Sequence, residues 1–303
     1  MLQSITKNIY WEPDLVNNLK KLEWITSSIG RGIRHGKHPS QTLGFRAEFK
    51  QFSQFKEGED ARYLDWKIYA RTKKKFVKQY HSESATSTLF LIDTSLSMDF
   101  KSKNSLPSKF EFSLAIIAVL AKIFDSQKDK IGFSHFISED STHLVPPQQN
   151  SLAYKNLLTE INQMYCSNTK TCNELIIQSL KSLSPRTNIL IFSDFMEDLD
   201  HLKKALSKLS GITKEISLIQ ILDPIESSIE TPNSSVIIQS IEDKAQFIFD
   251  PKKDSKSYLD QFHSHQKKLL KVCNQTGSHF HSMQSNDPLN NGILYLLSNC
   301  KKK

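Results

Sequence analysis

The turn Asp93-Thr94-Ser95-Leu96-Ser97 sets one carboxylate and two hydroxyls at alternate positions within five residues. These are hard oxygen donors, of the kind Mg²⁺ takes in octahedral geometry at ~2.1 Å while keeping several of its waters. Two serines one residue apart can face a single ion from a loop. Asp194 closes a second apolar run and adds charge at the same place if the two runs are neighbouring strands. Thr171, in the loop before a helix, offers a further hydroxyl, with Thr169 as its competitor. Such an ion, Mg²⁺ or another divalent cation such as Mn²⁺ or Ca²⁺, keeps an open position. An Asp or Glu on a protein partner can fill it, making recognition metal-dependent. Taken alone, the string also reads as a polar turn capping the next helix. Its position directly after an apolar strand, matched by Asp194 after another, favours the ion.

Catalysis finds less support. Phosphatases of the haloacid dehalogenase type also place an Asp after the first strand, but they use a second Asp two residues later as acid and base, where this chain has Ser95. No Gly-x-Ser-x-Gly elbow is present. Gly32-Ile33-Arg34-His35-Gly36-Lys37-His38 has too few residues between its glycines for a phosphate loop, and His38 stands where a Ser or Thr would hold Mg²⁺. The expectation is a non-catalytic protein, with a metal-dependent hydrolase as one alternative. The pairs His263/His265 and His279/His281 read as ordinary polar packing rather than zinc ligands. Cys166 and Cys172, six apart with no nearby His, read as free thiols.

The elements that must hold these residues alternate. Thr88–Asp93 and Asn188–Asp194 are short apolar runs ending in a carboxylate, as strands buried on both faces read. Ile131–Ile137, Ser141–Val145, Glu215–Leu222 and His279–Met283 are further strands. Lys109–Phe124, Leu152–Met164, Glu174–Leu183, Leu202–Leu209, Tyr258–Asn274 and Pro288–Ser298 carry helical spacing. Such alternation predicts an α/β fold with a doubly wound, mostly parallel sheet, whose ligands sit beyond the carboxyl ends of strands at a switch in strand order. Two regions lie outside it. Residues 1–84 hold a helix pattern (Leu15, Leu19, Leu22, Ile25) and an aromatic, charged segment, expected to pack on the main domain of residues 85–300. Within that domain, residues about 226–256 carry two short strand-like runs, Ser235–Gln239 and Ala245–Phe249, read as an inserted β-hairpin.

The chain has 303 residues, 38% hydrophobic and 24% charged, enough to bury a core and too apolar for general disorder. Its longest apolar stretches fall short of the roughly 20 residues of a membrane span. Met1-Leu2-Gln3-Ser4-Ile5-Thr6-Lys7 is not followed by a secretion signal, and four cysteines are too few for a disulfide scaffold, so the expected location is the cytoplasm. Forty Lys and Arg against 32 Asp and Glu give a net charge of +8. The densest basic run, Lys67–Lys78, includes Arg71, Lys73, Lys74 and Lys75 and is interrupted by Tyr69 and Phe76 just after Trp66. It reads as a solvated turn, with gripping of a nucleic-acid strand as the alternative.

Over nearly its whole length the chain resembles a known family. The strand and turn resemble the metal-ion-dependent adhesion site of von Willebrand factor A domains, with Asp93, Ser95, Ser97, Thr171 and Asp194 at its ligand positions. Gly44-Phe45-Arg46-Ala47-Glu48-Phe49, then Gly58-Glu59-Asp60-Ala61-Arg62-Tyr63-Leu64-Asp65-Trp66, then Ala70-Arg71-Thr72, resemble the bacterial domain of unknown function 58. Leu222-Asp223-Pro224, Cys273, Gly277 and Asp287-Pro288 resemble its C-terminal pattern. The resemblance implies a von Willebrand A-like fold and a link to MoxR-type AAA+ ATPases as partners. Arg46, Glu48, Gly58, Asp60, Arg62, Asp65, Trp66 and Arg71 are its signature. Their interleaved charges read as an ion-pair clamp or, alternatively, as a docking surface.

Overall fold

The computed structural model describes residues 49–54, 66–80, 85–103, 107–138, 141–149, 152–167, 169–228, 236–239, 246–289, 293 and 296. The helix read over Leu15–Ile25 and the signature residues Arg46, Glu48, Gly58, Asp60, Arg62 and Asp65 lie outside them.

Residues 35–85 form one unit. In it β1 (Phe49–Gln54) pairs antiparallel with β2 (Phe76–Tyr80), and α1 (Trp66–Thr72) lies between them in sequence. The solvated turn read over Lys67–Lys78 is therefore corrected to a helix followed by a strand. Its apolar residues, Ile68, Tyr69 and Phe76, are partly buried, while Trp66, Arg71, Lys73, Lys74 and Lys75 are exposed. The clustered charge had masked the apolar spacing that builds those elements.

The other unit carries a six-stranded sheet. Its strands are β3 (Ser87–Ile92), β4 (Lys130–Ser138), β5 (Ser141–Gln148), β6 (Asn188–Ser193), β7 (Glu215–Leu222) and β10 (His279–Gln284). They lie in the order β10-β7-β6-β3-β4-β5, all parallel except β5, which runs antiparallel to β4 at one edge. The chain starts in the middle at β3, builds outward through β4 and β5, and returns to the other side of β3 with β6. The switch in order thus falls between β3 and β6, as the doubly wound reading requires.

Alternation within the strands supplies both layers. Phe90 and Ile92 face α2 (Lys109–Ser126) and α3 (Ala153–Ile161), packing with Ile117, Leu120, Phe133, Leu157 and Ile161. Leu89 and Leu91 face the opposite way, into Leu175 and Ile176 of α4 (Cys172–Ser179), Leu206 of α5 (Leu199–Ser210) and Leu269 of α7 (Pro251–Thr276). A short helix α6 (Pro224–Ser227) follows β7, and β8 (Val236–Gln239) pairs antiparallel with β9 (Gln246–Phe249), the hairpin read in the sequence. Leu289, Ile293 and Leu296 are helical, within the last helix read in the sequence.

The edge strand is shaped by two local devices. At Gly132 a Cβ would lie 2.5 Å from the Val145 carbonyl oxygen and 2.6 Å from the Pro147 nitrogen, so only glycine lets β5 close on β4 there. Pro146 and Pro147 remove amide donors from the outer strand, which suits an edge. Gly277, at φ +68°, turns the chain from α7 into β10.

Candidate metal crevice at the sheet switch point

β3 and β6 are hydrogen-bonded neighbours, with Ile92 opposite Phe192, and the Asp93 N–H donates to the Phe192 carbonyl at 3.0 Å. The carboxylates that follow the two strands, Asp93 and Asp194, therefore meet at one crevice. Both are buried, 5% and 4% exposed.

Asp93 is held from two sides. Its Oδ1 accepts the Ser95 N–H at 2.8 Å, bending the chain into the turn, and its Oδ2 accepts the Ser193 hydroxyl at 2.6 Å. Burial above all, and then the charge of Asp194, push its pKa up to about 6 despite these hydrogen bonds. Past Ser95 the chain makes a 3₁₀ turn, Leu96–Asp99, which brings Ser95 Oγ and Ser97 Oγ to 3.1 Å. That separation is close to the ~3.0 Å between adjacent ligands of an octahedral Mg²⁺ with ~2.1 Å bonds. Met98, buried at the centre of the turn, anchors it in the core.

Asp194 is held differently. Its Oδ1 accepts the Met196 N–H at 3.2 Å, and its carbonyl accepts the Gln220 side-chain amide at 2.8 Å. Its Oδ2 accepts the Lys109 ammonium at 2.8 Å. Burial alone would raise the pKa of Asp194, but the Lys109 charge overrides it and holds the carboxyl below its usual value. Lys109 also donates to Glu226 Oε1 at 2.8 Å.

Two helix caps set this arrangement. Ser108 caps α2 in a capping box with Glu111, which places Lys109 at the first helical position. Asp223 caps α6, accepting the Ile225 N–H at 3.0 Å while its own N–H donates to Glu226 Oε2 at 2.8 Å, so Oε1 is left for Lys109. The sequence pattern Leu222-Asp223-Pro224 is thus the device that presents Glu226. Asp223 Oδ2 also accepts the Ser102 N–H at 2.9 Å, tying the loop after the Asp93–Ser97 turn to this cap.

Next to Asp194 the backbone bends sharply. Phe195, fully buried, has φ +53°, a left-handed conformation that costs a bulky residue energy and recurs at functional turns. The Ser193 hydroxyl accepts the Phe195 N–H at 3.0 Å while donating to Asp93, so one side chain fixes both turns. His265 Nε2 lies 2.9 Å from the Phe195 carbonyl oxygen, giving that histidine a polar packing role.

Thr171 immediately precedes α4, its N–H donating to Glu174 Oε2 at 3.0 Å, and it is half-buried while Thr169 is exposed. Its neighbour Glu197 accepts from the Asn173 N–H at 3.2 Å and the Asn173 side-chain amide at 2.8 Å. Burial first, with Asp93 and Asp194 adding to it, pushes Glu197 up to about 8, while hydrogen bonds from Asn173 and Thr171 work the other way. Thr171 is thus linked to the crevice only by way of Glu197, whose carboxyl feels the charges of Asp93 and Asp194.

The sequence reading missed Lys109, Ser193, Glu197 and Glu226. Lys109 looked like the polar start of a helix, and only its place at the first turn of α2, beyond the crevice strands, turns it inward. Around the crevice two large side chains remain in solvent. Tyr165 is 66% exposed on a loop held to the Asp93–Ser97 turn by the Ser167 N–H and Thr94 carbonyl, and Met196 is 43% exposed beside Asp194.

A central parallel sheet in this order, with an antiparallel third strand and an Asp-x-Ser-x-Ser turn at the switch point, defines a von Willebrand factor A-like domain. The chain belongs to the family described as protein of unknown function DUF58, whose model matches residues 51–267. The uncharacterized protein Rv1480 of Mycobacterium tuberculosis is 23% identical over 246 residues, 79% of this chain and 75% of that one. The crystal structure of an aerotolerance-related membrane protein from Bacteroides fragilis superposes with a TM-score of 0.50 at 13% identity, covering 72% of this chain and all of that one. The von Willebrand A domain of SpRpn10 gives 0.40 at 14% identity over 70% of this chain and 95% of its own. Among the described residues no helix is long and apolar enough to cross a membrane.

Proposed function

We propose that this chain is a non-catalytic module that binds a protein partner through a divalent cation held by Asp93, Ser95, Ser97 and Asp194, with Thr171 at its margin. The observation that carries the reading is the pair of serine hydroxyls 3.1 Å apart beside the buried Asp93 carboxyl at the sheet switch point. Oxygen donors of this type suit Mg²⁺, with Mn²⁺ or Ca²⁺ as substitutes. A bound cation would supply a positive centre with an open position, and a partner's Asp or Glu would complete its shell. Lys109 already neutralises much of Asp194, so the cation is held chiefly by Asp93 and neutral hydroxyls. That favours weak binding by the free protein and tighter binding once a partner carboxylate arrives. Exposed Tyr165 and Met196 beside the crevice supply apolar contact area of the sort found at the centre of interfaces.

The partner class is an ATPase of the MoxR AAA+ type or its substrate, and the place of work is the cytoplasm. Free thiols at Cys166, Cys172 and Cys273 support a reducing compartment. Thermal unfolding across a Mg²⁺ titration tests the cation, since occupancy at 100 times Kd stabilises by ~2.7 kcal/mol. Asp93→Ala should lose the Mg²⁺-dependent rise and, in pull-downs from lysate, the chelator-sensitive partner. Full partner capture by Asp93→Ala, or by wild type in chelator, would sink the proposal.

A further inference from the structure

A second constellation lies on the other side of β3. His135 on β4 and His143 on β5 stand directly opposite each other in register, and Glu160 comes from the last turn of α3. Glu160 Oε1 is 3.3 Å from His135 Nε2 and 2.7 Å from His143 Nδ1. Among the described residues this is the one grouping of three whose potential ligand atoms all lie within 4.8 Å of one another.

The hydrogen bonding of His135 is the decisive feature. Its Nδ1 faces the Phe136 carbonyl oxygen at 2.9 Å. A carbonyl can only accept, so Nδ1 carries the proton, and in the neutral ring Nε2 presents a lone pair. Nε2 then points its lone pair at a carboxylate oxygen 3.3 Å away. Two electron-rich atoms in that position are drawn together by a proton on the ring or by a metal ion between them, and a second imidazole within reach of the same oxygen favours the metal.

We infer that His135 Nε2, His143 Nδ1 and Glu160 Oε1 form a binding site for a transition-metal ion, with Zn²⁺ the best chemical fit. Two imidazoles and a carboxylate are a ligand set of open tetrahedral zinc sites, with the fourth position left to water or another ligand. Imidazole is a poor ligand for Mg²⁺ and a good one for zinc, copper and nickel, so the site is chemically distinct from the oxygen-lined crevice. With bonds of ~2.0–2.1 Å, tetrahedral ligands sit about 3.3 Å apart, the spacing already present between His135 and Glu160. The shorter contact opens to the same spacing by rotation of His143, whose side chain is 36% exposed. The Phe136 carbonyl holds the His135 ring as outer-sphere partners hold metal-bound histidines. The Thr94 hydroxyl also donates to that carbonyl, at 3.3 Å, so one acceptor serves both this site and the Asp93 turn.

Calorimetry of the full chain with ZnCl₂ in excess MgCl₂ tests the site, comparing wild type with His143→Ala and Glu160→Gln. Both substituted side chains are partly exposed, so each variant should fold, and the second decides if the first does not. Wild type should take up one Zn²⁺ and, loaded with Co²⁺ instead, show the intense absorption of a tetrahedral complex. Each variant should lose at least about tenfold in affinity, while His263→Ala and His279→Ala should lose none. No zinc uptake by wild type, equal affinity in both site variants, a pale octahedral Co²⁺ spectrum, or loss in the His263 or His279 variants would overturn the inference.

Discussion

The Lys109 ammonium bridges Asp194 Oδ2 and Glu226 Oε1, 2.8 Å from each, with 1% of its side chain exposed. Burial works to strip Lys109 of its proton, and the two carboxylates overcome it, holding its pKa above the usual lysine value. The crevice therefore contains its own cation beside the place where a metal would sit, and the two compete for the charge of Asp194.

Removing the ammonium exposes that competition. Lys109→Met leaves the buried Asp194 and the partly buried Glu226 without their partner, which should cost roughly 3–5 kcal/mol in chelator. Mg²⁺ should then stabilise the variant more than wild type, because the metal takes over charge that Lys109 had neutralised. Urea unfolding with and without Mg²⁺ measures both quantities. Equal Mg²⁺ stabilisation of the two proteins would place Asp194 outside the cation's reach.

Asp93 gives a pH signature. Its pKa rises from 3.8 to about 6 on folding, through burial first and the charge of Asp194 second. Between those values the folded state holds more protons than the unfolded one, so stability from this group is present at low pH and is lost as pH rises toward 6. The shift corresponds to roughly 3 kcal/mol. In chelator, wild type should lose stability from about pH 4 to 6 relative to Asp93→Asn. Mg²⁺ should cancel that loss by competing with the proton. Parallel profiles for the two proteins in chelator would contradict the shift.

The parts of this crevice that sequence made legible are those with short spacing. Asp93, Ser95 and Ser97 fall within one turn, and the apolar runs before Asp93 and Asp194 mark buried parallel strands without any knowledge of their partners. Lys109 and Asp194 are 85 residues apart, and Ser193 and Asp93 are 100 apart. Those contacts exist only because β6 returns beside β3, and strand order is not written in periodicity. His135 was read as one position of a strand, and nothing in its neighbourhood announced that β5 and α3 would bring His143 and Glu160 to it. The helix and strand at Trp66–Tyr80 were hidden for a different reason. Lysines and arginines dominate the segment, and the few apolar positions that fold it are spaced too sparsely to stand out.

Ser193 should matter more than a strand-end serine ordinarily does. Ser193→Ala deletes a hydrogen bond to a buried carboxylate and leaves the Phe195 N–H without its acceptor. Loss of a bond to a charged group is worth about 1.5–3 kcal/mol, and Asp93 should titrate higher still. Chemical denaturation near pH 7, where Asp93 is ionised, measures the loss. A change under about 0.5 kcal/mol, the range of ordinary surface substitutions, would mean that the hydroxyl does not carry the two turns.

Partner binding should depend on Tyr165 and Met196 independently of the cation. Both are exposed on loops that the crevice itself positions, Tyr165 through the Ser167–Thr94 hydrogen bond and Met196 through its N–H on Asp194. Neither is among the proposed metal ligands, so truncation should leave Mg²⁺ stabilisation unchanged. A central aromatic or Met anchor typically contributes more than 1 kcal/mol to binding, so Tyr165→Ala and Met196→Ala should each weaken capture of the partner by about fivefold to tenfold. Asp93→Ala, by contrast, should remove both the Mg²⁺ response and the capture. If the Tyr165 and Met196 variants bind the partner as wild type does while Asp93→Ala does not, the partner reaches the cation from another side. If all three bind fully, the crevice is not the docking site.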